Sequence, residues 1–234
     1  MDAAASGPMP RALVAEGGPE VLGEACDGLA ADGFDVERVS GAAELIGAAR
    51  ALPPDIVLMG TGIPPSGAVD ACRALREFSD AYVIVVAPGN DEVSTVLVLS
   101  VGADDVVGAG TSGREMAARA RAMLRRPRAG AARGGPHEVG TVSIDPLTRR
   151  ARAGVRDLDL TRLEFGILAV LAEESPAVVD RVRLVERVWG PGWLPDDHVL
   201  DVHVSNLRRK LVAAGADAAV ITVRGVGFRL GGAA

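Results

Sequence analysis

Lysine is nearly missing from this 234-residue chain: Lys210 is the only one, and arginine supplies every other long basic side chain. A phosphate loop of the Gly-Lys-Ser/Thr kind therefore cannot be built. The two cysteines, Cys26 and Cys72, stand far apart with no Cys-x-x-Cys pair, which supports neither a disulfide framework nor a zinc site. Histidine occurs only at 137, 198 and 203, outside the first half of the chain. His-Glu-x-x-His and Gly-x-Ser-x-Gly are both absent and no nucleophile–base pair stands out, so an enzyme has little support. No apolar run approaches the roughly 18 residues of a membrane span. The segment 1–10 lacks a basic stretch followed by an apolar one, so no secretory signal is expected. A cytoplasmic protein with no metal, no cofactor and no membrane partner is the expectation.

What is present is globular. Hydrophobic residues make up 48% and charged residues 24%, and the length fits two domains. Charge divides unevenly. Residues 1–126 hold 10 arginines against 18 carboxylates, a net of −8, whereas 127–234 hold 15 basic residues against 13 acids, a net of +2. The change falls beside Arg125-Arg126-Pro127-Arg128-Ala129-Gly130, a Gly/Pro-rich stretch without apolar periodicity. We read 127–137 as a linker between a domain at 10–126 and another at 138–232.

In the first half, apolar runs at 12–15, 36–39, 56–59, 83–87 and 106–107 are each followed by a helical pattern. Five strand–helix units predict a doubly wound, five-stranded parallel sheet, flavodoxin-like, with helices on both faces. Ligands of such sheets sit beyond the strand carboxyl ends. The second half predicts short strands at 141–145, 149–153 and 155–160. Thr161-Arg162-Leu163-Glu164 then forms a capping box. Two more helices follow, the first capped by Asp180 and the second by Asp196 or Asp197. A hairpin at 220–230, turning through Arg224-Gly225-Val226-Gly227, closes a winged helix-turn-helix plan.

Along the last helix Leu200, Val204, Leu207 and Leu211 form one apolar stripe. His198, Val202, Ser205, Asn206 and Arg209 fall opposite it, with Arg208 on the flank and His203 near the buried edge. An amide, a hydroxyl, a valine and a guanidinium suit the edges of bases in the major groove. Arg224 at the wing tip would enter a minor groove. Thr222 and Trp189 would meet phosphates, the rival for Trp189 being a plain core position.

Several stretches resemble the effector domain of OmpR/PhoB-type response regulators: Val178-Val179-Asp180-Arg181, Leu184 to Gly190, Asp201-Val202-His203-Val204, Leu207-Arg208-Arg209-Lys210-Leu211, and Thr222-Val223-Arg224-Gly225-Val226-Gly227-Phe228-Arg229-Leu230. The first half is similar to their receiver domain through Pro54 to Met59, Gly102-Ala103-Asp104-Asp105 and Arg119 to Arg126. The resemblance implies a transcription regulator bound to repeated half-sites about one DNA turn apart. His198, Val199, Val202, Ser205 and Asn206 would face bases, and Arg208, Arg209, Trp189 and Thr222 would hold phosphates. Many relatives carry basic residues where this chain has Ser205-Asn206, so their target sequence does not transfer.

A working receiver of that family phosphorylates an aspartate at the end of its third strand. It holds Mg²⁺ with acids after the first and senses the product through a Ser/Thr and a Lys on later loops. The corresponding positions here are Gly60, Glu16-Gly17, Ala87 and Ala109. Asp55 lies about 16 Å away at the other end of the strand. The sequence is also similar to atypical regulators of actinobacterial antibiotic clusters, including angucycline-type ones, that lack the phosphorylation site. Two expectations follow for the strand mouth: a vestigial scaffold for dimerisation, or a small cavity for a pathway product. Glu16, Gly17, Gly18, Gly60, Gly62, Ala87 and Ala109 would line that cavity. Gly108-Ala109-Gly110-Thr111-Ser112-Gly113 matches a dinucleotide fingerprint, but no further parallel strand follows, so we read it as a flexible loop. By the resemblance, a homodimer face would form from Val96, Leu97, Leu99, Asp104, Asp105 and Arg119, more hydrophobic than usual and independent of phosphate.

Overall fold

Val83 to Val86 sit inside a strand whose every side chain is buried, as a parallel strand covered on both faces requires. The computed structural model describes residues 9–16, 22–89, 92–124, 135–190 and 197–232. The chain divides into two compact units, Met1–Leu124 and Arg125–Ala234.

The first unit alternates β1 (Arg11–Ala15), α1 (Gly23–Ala31), β2 (Asp35–Val39), α2 (Ala42–Ala51), β3 (Ile56–Gly60), α3 (Ala68–Arg76), β4 (Tyr82–Ala87), α4 (Glu92–Ser100), β5 (Asp105–Gly108) and α5 (Gly113–Leu124). All strands are parallel, in the order β2-β1-β3-β4-β5. The three inner strands bury all their residues. Edge strand β2 exposes Asp35, Glu37 and Arg38, charges that discourage pairing with another chain. Helices α1 and α5 pack together on one face, and α2, α3 and α4 follow one another on the other.

Gly113 corrects the reading of its motif. It is the first residue of α5, buried against α1, and a Cβ there would collide with the Glu24 carbonyl oxygen. Close helix packing explains this glycine, so it belongs to the core rather than to a flexible loop.

The second unit opens with an antiparallel sheet, β6 (His137–Val139), β7 (Val142–Asp145), β8 (Arg150–Ala153) and β9 (Arg156–Asp157). Of the expected linker only 135–137 is described, and His137 is already in β6. Then come α6 (Arg162–Glu173), β10 (Val179–Asp180), α7 (Arg181–Trp189), α8 (Asp197–Ala214), β11 (Ala218–Val223) and β12 (Gly227–Gly232). The capping box forms at α6: Thr161 Oγ1 accepts from the Glu164 amide at 3.3 Å, and Glu164 Oε2 accepts from the Thr161 amide at 2.8 Å. At α7, Asp180 Oδ1 accepts from the Arg183 amide at 2.9 Å. Asp196 lies outside the described residues. The last three strands form a sheet in the order β10-β12-β11.

Candidate nucleic-acid interface

Helix α8 is buried over more of its circumference than its apolar stripe implies. Leu200, Val204, Leu207 and Leu211 are buried as expected, and so are Val199, His203 and Asn206. At about 100° per residue, Val199, His203, Asn206 and Lys210 share the flank that packs toward α6 and α7. Trp189 of α7 lies there, its ring centroid 5.9 Å from that of His203. Lys210 Nζ donates to the buried Glu164 of α6 at 2.7 Å. The opposite flank meets β11, where Arg208 Nε donates to the Val220 carbonyl at 2.8 Å and its Nη2 to Thr222 Oγ1 at 2.6 Å.

Three expectations are corrected by this packing. Trp189 is fully buried and takes the core role, so it is not placed to touch phosphate. Val199 packs inward and offers no surface to a base. Asn206 is 4% exposed, and its Oδ1 accepts from Arg209 Nη2 at 2.5 Å. It orients Arg209 instead of standing in the groove-facing row. The exposed arc of α8 holds His198, Ser205 and Arg209, with Val202 partly exposed beside them. Asp201, which entered above only within the resemblance and without a role, is also exposed and pairs with Arg181 at 3.0 Å. Its place one turn before Ser205 was the available signal.

The wing is short and polar at its tip. Arg224, Gly225 and Val226 are exposed, Gly225 has φ 71°, and the Val226 amide donates to the Val223 carbonyl at 3.0 Å. At its base Phe228 is buried, with the Arg181 guanidinium 5.3 Å above its ring.

In the first unit, Glu16, Gly60, Gly62, Ala87 and Ala109 stand at the carboxyl ends of β1, β3, β4 and β5. Gly17 and Gly18 lie outside the described residues. Gly60 is buried and in register with Val86. Glu16 is ion-paired with Arg38, the neighbour at the end of β2. Asp55 is at the far end of the sheet, where Oδ2 accepts from the Arg11 amide at 2.8 Å.

The expected dimer face needs three corrections. Leu99 is fully buried and belongs to the core. Asp104 is also fully buried, its Oδ2 accepting from Arg76 at 2.7 Å and from the Val83 amide at 2.8 Å. Asp105 is 2% exposed and pairs with Arg119 of the same chain at 3.1 Å. Burial raises its carboxyl to about 7 against the pull of that arginine. Val93, Val96 and Leu97 of α4 do face outward.

A parallel α/β unit followed by a winged helix with an open α8 and a basic wing tip defines a class: a two-domain, DNA-binding transcription regulator. Residues 155–230 match the family described as "Transcriptional regulatory protein, C terminal". The transcriptional regulatory protein PrrA of Mycobacterium tuberculosis is 38% identical over 223 residues, covering 94% of this chain and 96% of that protein. The response regulator MprA of Mycolicibacterium vanbaalenii is 36% identical over 205 residues, covering 86% and 89%. The solved structure of a mutant of RitR superposes with a TM-score of 0.80 at 22% identity, over 94% of this chain and 98% of that one, a likeness of fold. The chain belongs to the OmpR/PhoB family of response regulators, DNA-binding transcription factors rather than enzymes. Among the described residues no helix is long and apolar enough to cross a membrane.

Proposed function

We infer that this regulator binds specific DNA without being switched by aspartyl phosphorylation. The observation that carries the reading is the end of β3: the strand finishes on Gly60, which has no carboxylate to receive a phosphoryl group. Three neighbouring positions support it. Ala87 ends β4 and Ala109 follows β5, so neither a hydroxyl nor an amine stands there. The Mg²⁺ of a working receiver finds a poor donor set among the described residues, where Glu16 stands after β1 and Arg38 already neutralises it. The test is treatment of the full-length protein with acetyl phosphate and Mg²⁺, read by intact mass and by DNA affinity. No phosphoryl adduct and an unchanged affinity are expected. An adduct mapping to the end of β3 would overturn the reading.

Base recognition by this reading falls to His198, Val202, Ser205 and Arg209, which share the exposed arc of α8, with Arg224 reaching a minor groove. Repeated half-sites then call for two copies. The outward Val93, Val96 and Leu97, 68%, 38% and 50% exposed, supply an apolar contact face for a homodimer. Resemblance to antibiotic-cluster regulators supports targets among secondary-metabolite genes in the cytoplasm of the producing cell, testable by a genome-wide footprint. The alternative of a pathway product in the strand mouth requires displacing Arg38 from Glu16. A rise in melting temperature on adding such a product would favour it.

A further inference from the structure

Arg208 and Thr222 were both expected at phosphates, yet they are bonded to each other. The sheet order β10-β12-β11 leaves β11 as an outer strand, whose far edge carries backbone groups without a strand partner. Arg208 takes one of these, the Val220 carbonyl, through Nε at 2.8 Å, and reaches Thr222 Oγ1 through Nη2 at 2.6 Å. One acceptor is a main-chain carbonyl at the strand edge and the other a hydroxyl two residues on, and a single guanidinium spans both. A guanidinium presents donors in a fixed planar fork, which suits two such acceptors where a flexible ammonium would not. Thr222 is two residues from Arg224 at the tip. The opposite side of the hairpin is held separately, by pairing of Val179 with Phe228 and of Asp180 with Gly227.

We propose that Arg208 is a positioning residue: its fork braces β11 against α8 and sets the reach of the wing, so that Arg224 meets the minor groove while the recognition helix lies in the major one. The proposal rests on the reading of Arg224 as the minor-groove contact. It goes further by assigning wing placement to a helix residue and removing Arg208 from the phosphate ligands. Thr222 becomes the strand-side half of the brace. The two roles differ in their salt dependence. A phosphate ligand releases condensed counterions, and its loss lowers the slope of log K against log salt by about 0.9. A brace carries no such term of its own, and its loss lowers the slope only through the contact that Arg224 gives up. Its loss acts on the sequence at the wing site alone.

The experiment uses full-length protein and a duplex enriched by it from a random-sequence library. The duplex is rebuilt in two forms, with A·T or with G·C pairs where the wing reaches. Narrow A·T minor grooves attract arginine, and an A·T preference of about tenfold is expected for the parent protein. Arg224→Ala should abolish the preference. Arg208→Ala and Thr222→Val should reduce it nearly as far, and neither should lower the salt slope by more than Arg224→Ala does. Adding Arg208→Ala to Arg224→Ala should weaken binding no further. Thr222→Val keeps the shape of the side chain and all charges, so it answers the question even where Arg208→Ala impairs folding. Arg208→Lys should fail to restore the preference despite its charge. A lower slope with the preference intact, or additivity with Arg224→Ala, would overturn the brace. An Arg224→Ala protein that keeps the preference would instead remove the wing reading beneath it.

Discussion

Replacing Gly227 by alanine should damage the DNA-binding unit more than the same change at Gly225, although both glycines lie in the one turn Arg224-Gly225-Val226-Gly227. Gly225 sits at φ 71°, a left-handed conformation, with open space where a Cβ would project. Alanine there meets only backbone strain, of about 1 kcal/mol. Gly227 meets backbone. A Cβ would overlap the Val179 carbonyl oxygen and stand 2.8 Å from Asp180 Cα, where carbon–carbon contacts normally begin near about 3.5 Å. Strand β12 must then draw away from β10. That loosens the pairing of Val179 with Phe228 and of Asp180 with Gly227, and it opens the burial of Phe228 and Val179, each 1% exposed. Asp180 also caps α7, and disturbing a cap costs about 1 kcal/mol. Overpacking and lost ladder bonds together put Gly227→Ala at about 2–4 kcal/mol. Both tryptophans, Trp189 and Trp193, lie in the second unit, so urea unfolding followed by tryptophan fluorescence reports that unit within the whole chain. Amide exchange at Phe228 should quicken in Gly227→Ala and stay slow in Gly225→Ala. Equal losses, or a larger one at Gly225, would refute the steric argument.

Lys210→Met should cost about 2 kcal/mol, because the buried Glu164 carboxyl, 1% exposed, loses its cation partner; adding Glu164→Gln should recover part of the loss in the same fluorescence assay. The buried Asp105, raised to about 7, gives the first unit a pH dependence of defined sign. Between about pH 4, where an unfolded aspartate ionises, and about pH 7 the folded chain keeps a proton the unfolded chain has released, so stability falls as pH rises. Calorimetry of parent and Asp105→Asn proteins across that window should show this contribution only in the parent, and identical pH profiles would count against it. Leu97→Asp, on the outward side of α4, should abolish self-association in sedimentation while leaving the melting temperature nearly unchanged.

The parts of this fold that were legible in the sequence are those fixed by local patterns. Continuous runs such as Val83 to Val86 marked the inner strands, and polar letters near the capping threonine and aspartate marked the starts of α6 and α7. Features set by distant partners stayed hidden. Strand β10 is two residues long and exists because β12 lies beside it, an approach that Gly227 permits. Angular position about the helix axis placed Asn206 in solvent, and the family resemblance placed Val199 at the reading face, since neither knows what covers each flank. Packing of α6 and α7 on one side and β11 on the other narrows the exposed arc to His198, Asp201, Val202, Ser205 and Arg209. Leu99 and Asp104, assigned to a dimer face by the resemblance, are instead drawn into the core and into an ion pair with Arg76.

The narrowed arc changes what specificity rests on. Among the described residues, the exposed row of α8 offers the groove one permanent cation, Arg209, and that side chain is oriented from behind by a buried amide. A polar group oriented from inside the protein approaches a guanine edge with less side-chain freedom to lose than one standing free in solvent. The second half carries a net charge of only +2, and several of its arginines are engaged within the unit, Arg183 and Arg187 with Glu174 and Glu173 among them. Long-range attraction to the phosphate backbone is therefore expected to be modest, and under the proposed reading discrimination between sites depends on placing Arg209 and the wing correctly. Asn206→Ala follows as a sharper probe than its burial first implies. It removes no charge and so leaves the salt slope unchanged, yet it frees Arg209, and the selected duplex should lose affinity by about fivefold or more relative to random DNA. An Asn206→Ala protein that folds and still discriminates like the parent would show that Arg209 needs no such support.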